Sequence, residues 1–180
     1  MIALNVAGLL HEQPGTSRNY RLRDYYVTLG PGVELAGPLN GVLRLQRTNR
    51  SVLVTGEVTA PMRRTCGRCT DPYVEPATVS ISEEFLPSVD VATGAPAAER
   101  GDPEEGPRIN EHHEIDLAPV LRDELALSEP IMTLCSPDCP GLCPGCGRRL
   151  DVGSCACATD EPDERLAVLA RLLETPDRPA

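Results

Sequence analysis

Eight cysteines carry the chemistry this sequence can do: Cys66, Cys69, Cys135, Cys139, Cys143, Cys146, Cys155 and Cys157. They run as C-x2-C, a long gap, then C-x3-C-x3-C-x2-C-x8-C-x-C. A structural zinc takes four thiolate or imidazole ligands in a tetrahedron, and cysteines two to four residues apart supply two of them from one tight turn. Cys143-Pro144-Gly145-Cys146-Gly147 has the make-up of such a knuckle: the proline fixes its entry and the glycines admit positive φ. Cys66-Gly67-Arg68-Cys69 has the same spacing in a plainer setting. Disulfides suit exported chains, whereas Met1–Leu10 has neither a basic stretch nor a small-residue cleavage site. A thioredoxin-like pair needs its C-x-x-C at a helix start, but Cys69 leads to Pro72 and a further strand. An iron–sulfur cluster takes the same ligands, and the Pro-Gly knuckle favours zinc over it.

Eight thiolates complete two four-sulfur sites, so two structural zinc ions are expected. Two partitions are open. Cys143, Cys146, Cys155 and Cys157 lie within fifteen residues and close a hairpin site at little loop entropy, leaving Cys66 and Cys69 to pair with Cys135 and Cys139. The alternative joins Cys66 and Cys69 to Cys143 and Cys146 in a single ribbon. The first is preferred for its shorter closure. His112 and His113 sit among acidic residues and read as solvated, and His11 has no readable role.

The elements that position these cysteines come in two kinds. Before Cys66 and just after Cys69 the chain reads as β. Met1–Leu10 and Arg21–Leu29 are strand-like, the latter ending at Gly30-Pro31-Gly32. Leu43 and Leu45 alternate with Arg44 and Gln46; Thr48–Ser51 makes a hairpin turn, and Val52, Val54, Gly56 and Val58 begin the return strand. Ala77–Leu86 supplies another strand, and the short connections make the pairing antiparallel. Residues 87–110, with four prolines and a run of acids, form a mobile acidic loop. Then Asp116 can N-cap a helix, Pro119 fits its first turn, and Leu117, Val120, Leu121 and Leu125 make its apolar stripe. Residues 135–157 are too poor in apolar side chains to fold without a crosslink. A last helix starts near Asp160, with Leu166, Leu169, Ala170 and Leu173 on one face. The expected fold class is α+β. Its divisions are a β-rich part at 1–86, the loop at 87–110, and helix, zinc segment and terminal helix at 111–180.

Composition narrows the function. All 17 basic residues are arginine, which excludes a lysine nucleophile, a Schiff base and a phosphate-binding loop lysine. Hydrophobic residues make up 41%, enough for a core, and no apolar run reaches the ~18 residues of a membrane span. The net charge of −10 argues against a chain that coats nucleic acid along its length. The charge is uneven, however. Residues 1–70 hold 9 arginines against 4 acids, and a basic face including Arg44, Arg47, Arg63 and Arg64 is a candidate footprint for RNA. With 3% aromatic residues, contact with phosphate or shape is expected rather than base-by-base reading.

In combination and order, these pieces resemble the YceD-like family, the large ribosomal RNA subunit accumulation proteins. The resemblance rests on Cys66-Gly67-Arg68-Cys69 after a hairpin, Ile115-Asp116-Leu117 with Arg122, Asp123 and Glu124, and Leu127-Ser128-Glu129-Pro130. It continues through the run Cys135 to Gly147, Cys155-Ala156-Cys157, and Asp163-Glu164-Arg165-Leu166. Arg149-Leu150-Asp151 stands where the family commonly has an Asn-Leu-Asn-like stretch. The resemblance implies a non-enzymatic, cytoplasmic factor supporting synthesis, processing or stability of 23S ribosomal RNA during ribosome assembly. Its partner would be large-subunit RNA or a pre-ribosomal particle, met directly or through a protein, with no membrane and no small-molecule substrate. None of the hydrolase, nucleotide-binding or zinc-protease motifs is present, and two all-cysteine sites would be closed rather than catalytic. The alternative is a zinc-stabilised protein–protein adaptor without direct RNA contact.

Overall fold

The computed structural model describes residues 2–90, 95, 106–153, 155–157 and 169. They divide into two compact units, one from Met1–Gly67 with Asp71–Cys135, the other from Arg68–Thr70 with Ser136–Ala180. The expected terminal helix, Leu169 apart, and residues 91–94 and 96–105 of the expected acidic loop lie outside the described residues.

The first unit holds the strands β2 (Ser17–Tyr25), an exposed edge strand with only Leu22 buried, β3 (Leu39–Arg47), β4 (Val52–Thr65) and β5 (Pro72–Pro87), the last three with stretches in which buried and exposed residues alternate. On β4 the even positions Val52, Val54, Val58, Ala60 and Met62 all turn inward, as period-two geometry requires. The Thr48–Ser51 turn closes as expected, with the Ser51 amide donating to Thr48 Oγ1 at 3.0 Å. β2 to β5 pair antiparallel in sequence order, and β6 (Arg108–Ile109) adds to β5 in parallel.

The start of the chain departs from a single strand. β1 (Ala3–Asn5) pairs with β7 (Glu114–Asp116) in a separate two-stranded sheet, and the short helix α1 (Ala7–Leu10) follows. Ile2, Leu4, Val6, Leu9 and Leu10 are all buried. Turning the chain into a helical turn after Asn5 lets Leu9 and Leu10 both enter the core, which an extended strand would have prevented by putting them on opposite faces. The second strand spans Ser17–Tyr25, earlier than the expected 21–29.

Helix α2 (Ala118–Leu127) has Pro119 in its first turn and packs against β5, with Leu117, Leu121 and Leu125 buried. Leu117 occupies the N-cap position, one residue later than expected. Asp116 still does the capping chemistry, since its Oδ1 accepts the amides of Ala118 at 3.0 Å and Ile2 at 2.9 Å. One carboxylate thus ties the first residues of the chain to the helix start. Both sheets and α2 share one apolar core, in which Phe85 is fully buried.

Candidate metal centres and arginine face

Long strands β4 and β5 end in the turn that carries the first cysteine pair. The Cys66 amide donates to Asp71 O at 2.9 Å, and Thr70 takes a positive φ of 63° inside that turn. The segment approaching Cys135 is fixed to the end of β4: Thr133 Oγ1 donates to Thr65 O at 2.8 Å, and the Gly67 amide donates to Thr133 O at 2.7 Å. Arg68, in the second unit, donates through Nη1 to Cys139 O at 2.9 Å. The thiol sulfurs of Cys66, Cys69, Cys135 and Cys139 all lie within 4.8 Å of one another, and three of the four residues are buried.

The second unit holds the other four. Residues 141–150 form a tight hairpin, with the Cys143 amide on Arg148 O and the Gly147 amide on Cys143 O, both at 2.8 Å. Gly147 takes φ 70°, a left-handed value that glycine adopts without strain. The sulfurs of Cys143, Cys146, Cys155 and Cys157 again lie within 4.8 Å of one another. Among these thiols the Cys155 sulfur donates to that of Cys143 at 3.1 Å. That contact, with the amides of Cys146 and Gly145, pulls the Cys143 thiol down to about 6. Cys157 is pushed up to about 12 because it donates to Cys146, Cys143 and Cys155. A tetrahedron of sulfurs about 2.3 Å from zinc has edges of roughly 3.8 Å, so both quartets are within small side-chain adjustments of one. Each can hold a metal ion, and each is all-thiolate, the donor set of a closed structural site rather than a hydrolytic one.

The four arginines expected to meet RNA fall in different environments. Arg44 lies on the outer face of β3, exposed. Arg63 is exposed but paired to Glu34 at 2.9 Å. Arg47 is half-buried and donates to Ser51 O at 3.1 Å. Arg64 corrects the expectation, because it occupies the inward parity of β4 with Val58, Ala60 and Met62. Its side chain is 5% exposed and lies 2.7 Å from Glu75 and 3.6 Å from Glu129. A guanidinium so enclosed meets no phosphate; it neutralises two carboxylates and holds the segment after α2 against the hairpin. His112 is exposed, in keeping with a solvated residue.

Sequence reasoning passed over a further group at β2, where the pairing slips between Leu22 and Tyr25. The available signal was the pair Arg23-Asp24, which breaks the alternation of that strand.

Fold and site thus define a strand-rich α+β protein with two four-cysteine clusters. The family model described as large ribosomal RNA subunit accumulation protein YceD matches residues 54–173, and the chain belongs to that family. Uncharacterized proteins of Mycobacterium tuberculosis and of Mycobacterium bovis are each 39% identical to it over 105 residues, 58% of this chain and 48% of the relative. An uncharacterized protein of Mycobacterium leprae is 32% identical over 123 residues, 67% of this chain and 52% of the relative. The chain therefore spans about half the length of the curated relatives it matches. No solved structure matches it. Among the described residues no helix is long and apolar enough to cross a membrane.

Proposed function

We propose that this chain is a zinc-stabilised, non-enzymatic cytoplasmic factor that supports accumulation of large-subunit ribosomal RNA during ribosome assembly. The observation that carries the reading is membership of the accumulation family over residues 54–173, which include all eight cysteines. Cys66, Cys69, Cys135 and Cys139 would hold one zinc, and Cys143, Cys146, Cys155 and Cys157 a second. When bound, each ion supplies a crosslink, since four thiolates leave no open position for substrate or water. The chain's own residues then do the binding, and its basic part, with 9 arginines against 4 acids in residues 1–70, is where contact with RNA falls.

Exposed Leu127 at the end of α2, with exposed Ile131 and Met132 just beyond it, favours a second reading in which the protein acts as an adaptor and meets RNA only through a partner. Depletion and purification separate the two. On depletion, large-subunit RNA is expected to fall relative to small-subunit RNA, measured by quantitative hybridisation. The tagged protein is expected to bring down large-subunit transcripts, and RNase is expected to release its protein companions under the RNA-contact reading. Companions that survive RNase support the adaptor. An unchanged RNA ratio would remove the functional proposal itself.

A further inference from the structure

We infer that the bulge on edge strand β2 is a contact site for the backbone of single-stranded RNA, with Arg21, Arg23 and Arg44 as its phosphate ligands and Tyr26 as a stacking surface. The inference rests on the ribosomal RNA reading and places its point of contact.

The geometry begins with pairing. Leu22 faces Gly41 and Tyr25 faces Leu39, so Arg23 and Asp24 together stand opposite the single residue Asn40. Such a bulge bends the strand and re-aims its side chains. Asn40 holds it open, its Oδ1 accepting the Asp24 amide at 3.0 Å, while Asp24 takes the left-handed φ of 47°. The result is a shallow cavity of about 440 Å³ lined by Arg21, Leu22, Arg23, Asn40, Gly41 and Val42.

Register fixes which residues share the outer face. Arg21 pairs with Val42, Asn19 with Arg44, and Arg44 with Thr55, all on the side opposite buried Leu43 and Leu45. Beyond them, Thr55 faces Ser82, Glu57 faces Ser80, and Thr59 faces Thr78. The face therefore carries arginine and hydroxyl groups around exposed Val42, with Glu57 and Asp24 as the acids near the cavity.

Charge decides the occupant. Arg18, Arg63 and Arg64 are neutralised by Glu12, Glu34, and Glu75 with Glu129. Arg21, Arg23 and Arg44 have no carboxylate partner among the described residues, and all three are exposed. Two unpaired guanidiniums that line a concavity, with Arg44 on the same face opposite Asn19, suit a polyanion with regularly spaced charges. Tyr26 is 76% exposed just past the bulge, in a chain with four tyrosines, one phenylalanine and no tryptophan. An aromatic ring left in water beside phosphate-binding arginines is the arrangement on which an unpaired base stacks.

The test uses the full zinc-loaded protein and a fluorescein-labelled single-stranded oligoribonucleotide of about 20 nucleotides from large-subunit RNA, longer than one such site needs. Affinity is measured by anisotropy across a salt series. Converting Arg21, Arg23 and Arg44 to alanine together is expected to flatten the log–log salt slope by about 2, at roughly 0.7 per lost phosphate contact on a single strand. Tyr26→Ala is expected to weaken binding about tenfold with the slope unchanged, and Tyr26→Phe to restore it, since stacking needs the ring and not the hydroxyl. All four side chains are exposed, so an unchanged thermal melt verifies that the variants fold.

An unchanged slope in the triple variant overturns this surface, and the ribosomal RNA reading stands if depletion still lowers large-subunit RNA. Wild-type protein that fails to bind the oligonucleotide also overturns it. In that case, a triple variant that no longer supports RNA levels in cells would assign the same arginines to an acidic protein partner.

Discussion

Replacing Cys143 by serine is expected to remove one zinc ion and unfold the hairpin segment 141–157, while the ion held by Cys66, Cys69, Cys135 and Cys139 stays. Among the described residues of that stretch only Gly141 and Cys143 are buried, so no apolar core remains once the crosslink is gone. Structural zinc contributes roughly 10–16 kcal/mol of binding free energy in small domains, which here is nearly all the folding free energy available to the hairpin. Native mass spectrometry should read two ions in the wild type, at about 63 Da each after proton loss, and one in the variant. Cys66→Ser should remove the other ion and loosen Cys135 and Cys139. It should leave the sheet intact, because β4 and β5 are held by Val54, Val58, Val79, Ile81 and Phe85 rather than by sulfur. Far-UV circular dichroism and thiol alkylation mapped by mass spectrometry separate the two cases. If Cys66→Ser exposes Cys143 and Cys146 to alkylation, the cysteines pair as a single ribbon instead. A reduced, metal-free chain with residues 141–157 fully protected from exchange would end the zinc proposal.

Much of this was legible in the residues. The Thr48–Ser51 turn, the alternation of β3 and β4, and the Leu117/Leu121/Leu125 stripe of α2 follow from local pattern, because period and turn chemistry act over a few residues. The cysteine spacing was informative for the same reason: a knuckle is a local object. Legibility failed where a distant partner decides. Nothing near Ile2 announces that its amide meets Asp116, or that β1 pairs with β7 across more than a hundred residues. The arginine set shows a different kind of miss. Parity alone places Arg64 with Met62 and Ala60 on the inward face of β4, and Arg47 with Leu43 and Leu45 on that of β3. Positive charge by itself suggests exposure, whereas period two points these two inward. Arg21 and Arg23 were visible as charge, but the bulge that gathers them depends on the register of β2 against β3, which no single strand encodes.

Gly56→Ala is expected to destabilise the first unit by about 3 kcal/mol or more, a large share of the 5–15 kcal/mol that holds an ordinary domain. Gly56 lies mid-strand in β4 between Leu43 and Ile81, at φ +152°, a backbone conformation that L side chains rarely adopt. A Cβ there would lie 2.2 Å from Val42 O and 2.9 Å from Leu43 Cα. Both are backbone atoms, so no rotamer change can relieve the clash; β3 and β4 must separate or the register must slip by a residue. A slip of β4 would turn Val52, Val54 and Val58 outward, so the cost spreads from one methyl group to the whole hairpin. Thr55→Ala, one residue away on the outer face, is the matched control and should change stability by within about 0.5 kcal/mol. Urea denaturation followed by circular dichroism gives both numbers. A Gly56→Ala midpoint equal to that of Thr55→Ala would mean that β4 relaxes around the added carbon, and that the close approach of β3 and β4 is not what fixes their register.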